Sequence, residues 1–230
     1  FLFFSIKSAR CVFVSVYTMT ACTFRSSALA FLTERGEVVI SGKYIPSENP
    51  LFGPQATVAK KNSLSMFKSD IHGNKLPRFV FMAGSNKRCL MIAEDGSLWA
   101  VGDLRNGVAG FDSEKNTFAD CSDDSIEHLI ILAAEPMLIP TTVFSNSTIS
   151  VLACGLDHTL ALDTAGRVFS SGINRYGQCG VDSIDLVAEF TAVKYAIEVE
   201  EPVFSNRYQV QTVANAVKIS AGGTHSFILS

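Results

Sequence analysis

Alternating apolar and polar residues near the middle of the chain predict a pair of antiparallel strands. Residues 149–154 are apolar and largely β-branched. In the segment that follows, every second residue belongs to one set (His158, Leu160, Leu162) and the intervening residues to another (Thr159, Ala161, Asp163). This period of two is typical of a strand whose faces lie in different surroundings. A hairpin loop at 163–166 and a return strand at 167–171 follow, with Val168 and Phe169 on opposite faces.

The same pattern recurs along the chain at a long period. Three anchor glycines are each followed six residues later by another glycine: Gly36 by Gly42, Gly96 by Gly102 and Gly166 by Gly172. A fourth copy begins at Val217 and carries His225 in the place of His158. A spacing of about 60–70 residues exceeds that of helical solenoid repeats and suits a unit of several strands.

The repeats predict how the chain is organised. Isolated hairpins are marginally stable in water, so the units must pack together, and radial stacking into a propeller is the usual solution for a repeated antiparallel meander. We expect an all-β fold, a partial β-propeller of about three and a half antiparallel blades, forming one domain over 1–230. The predicted repeat units are 21–53, 80–110, 149–180 and a truncated 215–230, separated by long insertions at 54–79, 111–148 and 181–214.

The insertions are less strongly patterned than the repeat units. Residues 125–134 and 185–197 are each compatible with a short helix or with an edge strand and its loops. The polar stretch 55–76 has the composition of a surface loop.

The third copy also carries a family resemblance. Residues 154–162 and 166–180 resemble the repeat of the regulator of chromosome condensation family, Gly-x-x-His-Thr-Leu-Ala-Leu followed by Gly-x-Val-Tyr-x-Trp-Gly-x-Asn-x-x-Gly-Gln-Leu-Gly. The second copy has Arg88 in the histidine place and the first has Ala28. The family's usual Trp is replaced in all three copies, by Ser41, Val101 and Ser171. The resemblance implies a ring that normally has seven blades, of which this chain would be a fragment.

Composition narrows the possible functions. Lys and Arg number 19 and Asp and Glu 22, so the net charge is −3 and no basic field is available to hold nucleic acid. The six cysteines form no Cys-x-x-Cys pair and the four histidines do not cluster with them, so we expect no zinc site and a reduced, cytoplasmic or nuclear protein. No stretch predicts a membrane segment, and we expect no cofactor and no small-molecule substrate.

Two short patterns resemble catalytic motifs without being complete. Gly172 and Gly177 have the spacing of a phosphate-binding loop, but Gln178 and Cys179 follow where Lys and Ser or Thr are needed. The serine–lysine pattern of residues 65–68 lacks its companion motifs. We therefore expect that the chain is not an enzyme.

The sequence and the resemblance together predict a non-catalytic protein-interaction scaffold. The resemblance leaves two alternatives, a guanine-nucleotide exchange factor for a Ran-type small GTPase with chromatin association, and an accessory propeller of a ubiquitin ligase or other multidomain regulator. Candidate partner-binding residues are Asp157, His158, Tyr176 and His225. Because His158 shares a face with apolar residues, its alternative role is that of a half-buried histidine that hydrogen-bonds a neighbouring backbone carbonyl and ties the blades together. We assign a structural role to ten glycines: Gly36, Gly42, Gly96, Gly102, Gly155, Gly166, Gly172, Gly177, Gly180 and Gly222.

Overall fold

The chain forms a succession of small antiparallel β-sheets. The structure, a computed structural model, describes residues 21–24, 28–42, 64–70, 72–85, 88–110, 132–140, 144, 148–183, 185–199 and 207–230. Every regular secondary-structure element in these ranges is a β-strand. This confirms the all-β class expected from the period-two pattern.

Three of the sheets have four strands each, and we call them blades 1, 2 and 3. Blade 1 contains β1 (Ala21–Phe24), β2 (Ala28–Leu32), β3 (Val38–Gly42) and β4 (Leu64–Met66). Blade 2 contains β5 (Phe79–Gly84), β6 (Arg88–Ala93), β7 (Leu98–Asp103) and β8 (Leu132–Ile139). Blade 3 contains β9 (Ile149–Cys154), β10 (His158–Asp163), β11 (Val168–Ile173) and β12 (Leu186–Ala192). Within each blade, consecutive strands are neighbours.

Two further sheets have two strands each. A separate hairpin is formed by β13 (Lys194–Val199) and β14 (Arg207–Thr212). The second pair, β15 (Lys218–Ala221) and β16 (Ser226–Leu229), corresponds to the first two strands of blade 3, and we call it blade 4. The three complete blades and this opening of a fourth are those predicted from the repeats.

The blades are arranged around their first strands. Strand β5 contacts β1 on one side and β9 on the other, and β9 in turn contacts β15. Because each first strand touches its counterparts in the flanking blades, the sheets radiate from a common inner side. The described residues therefore form a partial β-propeller.

Each junction between blades has its own apolar core. Strand alternation divides β10 between two of these cores: Ala161 packs toward blade 2 with Phe144 and Phe190, whereas Leu160 and Leu162 pack toward blade 4. Val168 and Phe169 separate in the same way, Val168 with the blade 4 core and Phe169 with the blade 2 core. A third core joins blades 1 and 2. The predicted opposite-face placement in blade 3 is confirmed.

The fourth strands of the blades come from the segments that the sequence suggested as insertions. Residues 185–197, a candidate helix or edge strand, form β12 and the start of β13, so the helix alternative is wrong. Of the other candidate helix, 125–131 lies outside the described residues, and its end belongs to β8. Part of the polar stretch 55–76 forms the short strand β4. Each of these segments is a strand because its backbone pairs with the third strand of its blade.

A glycine-rich exit loop connects the third and fourth strands of blades 2 and 3. In blade 2 the loop packs on the next blade, because the backbone of Gly107 lies against Ala188 and Gly110 lies against the ring of Phe190. Phe190 is only 2% exposed and its ring packs on Phe144, with the ring centres 5.2 Å apart. A side chain at Gly110 would therefore collide with a ring that has no room to move.

Replacing Gly110 by Ala tests this close approach. Gly110 and Gly177 both have positive φ, 78° and 76°, but no atom lies within 4 Å of the place where a Cβ of Gly177 would stand. Gly177→Ala should cost only the backbone strain, about 1 kcal/mol. Gly110→Ala should cost about 1–3 kcal/mol more because of overpacking. Urea unfolding of both variants measures the difference, and equal losses would contradict the packing described here.

Candidate functional site

The candidate site is a cleft between the exit loop of blade 3 and the hairpin of blade 4. Its volume is 310 Å³, and its walls include Tyr176, Gln178, Val193, His225 and Ile228. Its walls carry both polar and apolar groups.

The exit loop that forms one wall is held by its own polar groups. The Asn174 side chain accepts a hydrogen bond from the Cys179 N–H at 2.8 Å and donates to the carbonyls of Val181, at 3.1 Å, and Ser183. The Ser170 hydroxyl donates to the Cys179 carbonyl at 2.6 Å. Asn174 is buried, so these bonds are shielded from water. The loop therefore has a fixed shape.

Tyr176 stands out from this loop into solvent. It is 77% exposed, and its backbone N–H donates to the Gln178 side-chain oxygen at 2.9 Å. Across the cleft, His225 is exposed and packs edge-on against Phe227 with the ring centres 5.3 Å apart. Phe227 is itself 64% exposed but does not line the cleft, so the rings that face it are those of Tyr176 and His225. Exposed aromatic rings therefore stand on both sides of the cleft.

His158 lies behind the cleft, fully buried between blades 3 and 4. Its Nε2 is 2.9 Å from the hydroxyl oxygen of Ser226 in β16. The Ser226 hydroxyl in turn donates to the Gln178 carbonyl at 2.7 Å. Because the serine proton is used in that bond, its oxygen accepts from His158, which must therefore carry a proton on Nε2. One hydrogen-bonded chain thus links β10, β16 and the exit loop.

The other ring nitrogen of His158 is buried without a hydrogen-bond partner among the described residues. The ring is therefore neutral, with its proton on Nε2 only. Burial is the main reason that the pKa of His158 is lowered to about 4, and the positive charge of Arg88 lowers it further.

Two glycines make room for the histidine rings. A Cβ on Gly155 would collide with the ring of His158 and would lie 2.6 Å from the Gly222 carbonyl oxygen. Gly222 stands against the His225 ring in the same way. In both copies the glycine N–H donates to the histidine carbonyl three residues later, at 2.9 Å. This turn explains the Gly-x-x-His spacing seen in the sequence.

Arg88 makes the corresponding connection at the junction between blades 2 and 3. It is 1% exposed, and its guanidinium donates to the Leu156 carbonyl at 3.0 Å, the His158 carbonyl at 2.7 Å and the Thr159 hydroxyl oxygen at 3.2 Å. The Thr159 hydroxyl donates to the Val108 carbonyl at 2.6 Å. Thr159 corresponds to Ser226 and Val108 to Gln178, so the two junctions share one arrangement.

The structure separates the four candidate partner-binding residues. Tyr176 and His225 lie at the cleft and are exposed, whereas Asp157 is partly buried in the turn before β10. His158 is not a surface residue, because its side chain is fully covered by blade 4. The expected half-buried histidine bonded to a carbonyl is also corrected: the ring is wholly buried and its partner is a hydroxyl group.

Sequence reasoning missed several residues on which the site depends. The sequence identifies Arg88 only as a departure from the repeat, although its guanidinium joins blades 2 and 3 from the histidine position. The Ser226 and Thr159 hydroxyls, each one residue after the histidine position, and Asn174 in the exit loop were not singled out. A signal exists for the hydroxyl groups, because Thr159 and Ser226 stand at matched positions of the third and fourth copies, but the second copy has Leu104 at the place of Asn174.

Comparison with known proteins assigns the repeats. Residues 149–178 and 165–229 match two models that are both described as the regulator of chromosome condensation (RCC1) repeat. Residues 149–229 carry RCC1 repeats. The residues that build the cleft, from the exit loop of blade 3 to β16, lie within the two matched segments.

Curated proteins with similar sequences are much longer than this chain. It is 32% identical to human protein RCC2 over 45% of this chain and 16% of that protein. It is 28% identical to the X-linked retinitis pigmentosa GTPase regulator homolog of Caenorhabditis elegans, over 54% of this chain and 9% of that protein. A probable E3 ubiquitin-protein ligase of the rat, HERC4, is 31% identical over 42% of this chain and 8% of its own length.

Solved structures agree on the fold. Yeast RCC1 (Prp20), in a complex with Kap60, aligns with 89% of this chain at 21% identity and a TM-score of 0.57, and the match covers 38% of the yeast chain. A second structure of Prp20p from Saccharomyces cerevisiae gives a TM-score of 0.56, also at 21% identity, and covers 39% of that chain. The partial propeller is thus of the RCC1 type.

The described residues contain no helix that is long and apolar enough to cross a membrane. Nor do they bring together three His, Cys, Asp or Glu side chains in a way that could hold a metal ion.

Removing the guanidinium of Arg88 should weaken the junction between blades 2 and 3. Arg88→Met removes the guanidinium donor from the Leu156 carbonyl and the Thr159 hydroxyl oxygen, and leaves the His158 carbonyl with only the Gly155 N–H, which we expect to cost about 2–4 kcal/mol. Arg78→Met is the matched control, because Arg78 pairs with Glu94 at 2.9 Å on an exposed surface and should cost at most about 1 kcal/mol. Urea denaturation compares the two, and equal losses would refute a structural role for Arg88.

A methyl group at Gly155 should displace the His158 ring. Gly223→Ala is the control, because that glycine has no atom within 4 Å of an added Cβ and neither glycine has positive φ. We expect Gly155→Ala to lose about 1–3 kcal/mol and Gly223→Ala to be nearly neutral. Thermal unfolding at pH 7.5 measures both, and a neutral Gly155→Ala would show that the ring is not confined.

Proposed function

We propose that this chain is a non-catalytic protein-interaction scaffold that receives its partner at the cleft between blades 3 and 4. The observation that carries the proposal is Tyr176, a tyrosine 77% exposed on a loop whose shape is fixed by buried hydrogen bonds. An exposed aromatic side chain costs little conformational entropy to bury, and aromatic residues are enriched among those that dominate binding energy.

The opposite wall of the cleft supports the same function. His225 presents an exposed ring there, supported edge-on by Phe227, which does not itself line the cleft. Exposed rings on both sides of a groove suit an apolar side chain of a partner protein better than a polyanion. The net charge of −3 likewise favours a protein partner over nucleic acid.

The comparisons support this proposal at the level of the repeat. One structure of Prp20p is described together with its binding properties to Gsp1p and histones. Other relatives are named as ubiquitin ligases, which leaves an accessory role within a larger regulator open. This chain spans less than a fifth of each of those curated relatives, so their activities enter here only as candidates. We propose a cytoplasmic or nuclear location, without a cofactor.

Binding of two purified probes tests the proposal. A Ran-type GTPase and core histones are each immobilised, and the affinity of the wild-type chain is compared with that of Tyr176→Ala by biolayer interferometry. Truncating a central aromatic anchor should weaken binding to one probe by about tenfold or more. Tyr195→Ala is the matched control, because Tyr195 is 45% exposed on β13, outside the cleft.

The same samples separate scaffold from exchange factor. A scaffold leaves the release of labelled nucleotide from the GTPase unchanged, whereas acceleration at micromolar chain would replace the scaffold by the exchange factor. Absence of binding to both probes, or equal losses for Tyr176→Ala and Tyr195→Ala, would refute docking at the cleft.

A further inference from the structure

We propose that protonation of His158 opens the junction between blades 3 and 4, so that this junction is closed at neutral pH and loosened in mild acid. The opening itself follows from the geometry of the junction. Its consequence for partner binding rests on the function proposed above.

His158 connects both walls of the cleft. Through Ser226 it reaches β16, and through the Ser226 hydroxyl it reaches the Gln178 carbonyl, with bonds of 2.9 and 2.7 Å. Ser226 and Gln178 both line the cleft. A change at the buried ring therefore acts on the relative position of the exit loop and blade 4.

Among the residues that the structure describes, the closed junction has no hydrogen-bond acceptor for a second proton on Nδ1 of His158. Nδ1 is buried and has no acceptor within the described part of the chain. The backbone of Gly155 lies against that edge of the ring, where even a methyl group would collide. An N–H at Nδ1 would therefore stay without a hydrogen bond until the junction opened and water reached it.

The charges around the ring, taken together with its burial, disfavour a second proton on His158. From β6, Arg88 places its guanidinium 2.7 Å from the His158 carbonyl oxygen, and from the blade 4 turn His225 faces the ring. Both disfavour an imidazolium cation. Asp157, in the turn before β10, favours it, but its effect is smaller than that of burial, which is why the pKa is lowered to about 4.

Three other titratable groups lie near this region. Asp103 on β7 is paired with Arg105 at 2.5 Å. Cys154 and Asp103 both act on Arg88, where their charges oppose the lowering of its pKa by burial. Burial raises the pKa of the Cys179 thiol to about 11, so it stays neutral in mild acid. None of the three supplies an acceptor to His158.

The sign and size of the effect follow from proton linkage. In the open form His158 regains its ordinary pKa of 6.5, while in the closed form it is about 4. Between these values the open form binds more protons, so acid favours opening, and the closed junction is most stable above pH 6.5. The opening equilibrium constant should rise about tenfold between pH 7.5 and pH 5.5.

The junction between blades 2 and 3 serves as an internal reference. Arg88 occupies there the place that His158 occupies one blade later, and an arginine stays protonated throughout this pH range. Acid should therefore leave that junction closed while the next one opens.

Hydrogen exchange of the whole chain tests the inference without any partner. Exchange rates at pH 7.5 and 5.5, corrected for intrinsic rates, should show about tenfold less protection in β15 and β16 at the lower pH. Protection in β6 and β7 should be unchanged. A uniform loss across the chain, or no loss in blade 4, would overturn the proposal.

Two histidine variants identify the group responsible. His158→Gln keeps a neutral donor and cannot be protonated, so it should remove the pH dependence in blade 4. His72→Gln replaces an exposed histidine between β4 and β5, and this variant should retain the pH dependence of protection in blade 4. If His158→Gln does not fold, the wild-type and His72→Gln data still decide, because the contrast between blades 2 and 4 lies within one molecule.

Partner binding distinguishes this inference from the proposed function. Loss of protection in blade 4 with no binding to either probe would refute the docking function and leave the switch standing. Binding of equal strength at pH 7.5 and 5.5, with no change in protection, would refute the switch and leave the docking function standing.

Discussion

The structure depends on buried polar connections between neighbouring blades. Each blade is a small sheet that cannot bury its faces alone, so it is stable only beside another. Apolar side chains supply the attraction, but they do not fix how far one sheet slides over the next. The directed hydrogen bonds that cross the junction do. Arg88 of blade 2 donates to the Leu156 and His158 carbonyls of blade 3, and the Thr159 hydroxyl returns a bond to the Val108 carbonyl.

The same arrangement gives the candidate site its shape. At the next junction His158 and Ser226 replace Arg88 and Thr159, and the return bond ends on Gln178 in the exit loop. The loop that carries Tyr176 is therefore held from both sides, by Asn174 within blade 3 and by Ser226 from blade 4. The hydrogen bonds among His158, Ser226 and Gln178 therefore both join blades 3 and 4 and shape the candidate site. This is why a buried histidine has a bearing on an exposed surface.

Much of the fold could be predicted from the sequence, because the repeats are marked by alternation and by glycines. Strands β9 and β10 have the predicted bounds, and Gly172 has a φ of 107° at a bulge opposite β12, where a side chain would meet the Asp157 carbonyl at 2.5 Å. The outer strands could not be predicted with the same certainty. The pairing of β8 with β7 shifts register at residues 134–136 of β8. Pro136 lies in this irregular part of an edge strand, where its missing N–H removes no hydrogen bond of the sheet. The role of Arg88 was hidden for a similar reason, because its partners lie about 70 residues away in the sequence.

The protonation state of His158 tests the central claim most directly. Two-dimensional ¹⁵N–¹H NMR of the ring at pH 7 reports which nitrogen carries the proton. If His158 connects the blades as a donor to Ser226, the spectrum will show a neutral ring protonated at Nε2, with Nδ1 bare. A ring protonated at Nδ1, or a cation at neutral pH, would contradict the account.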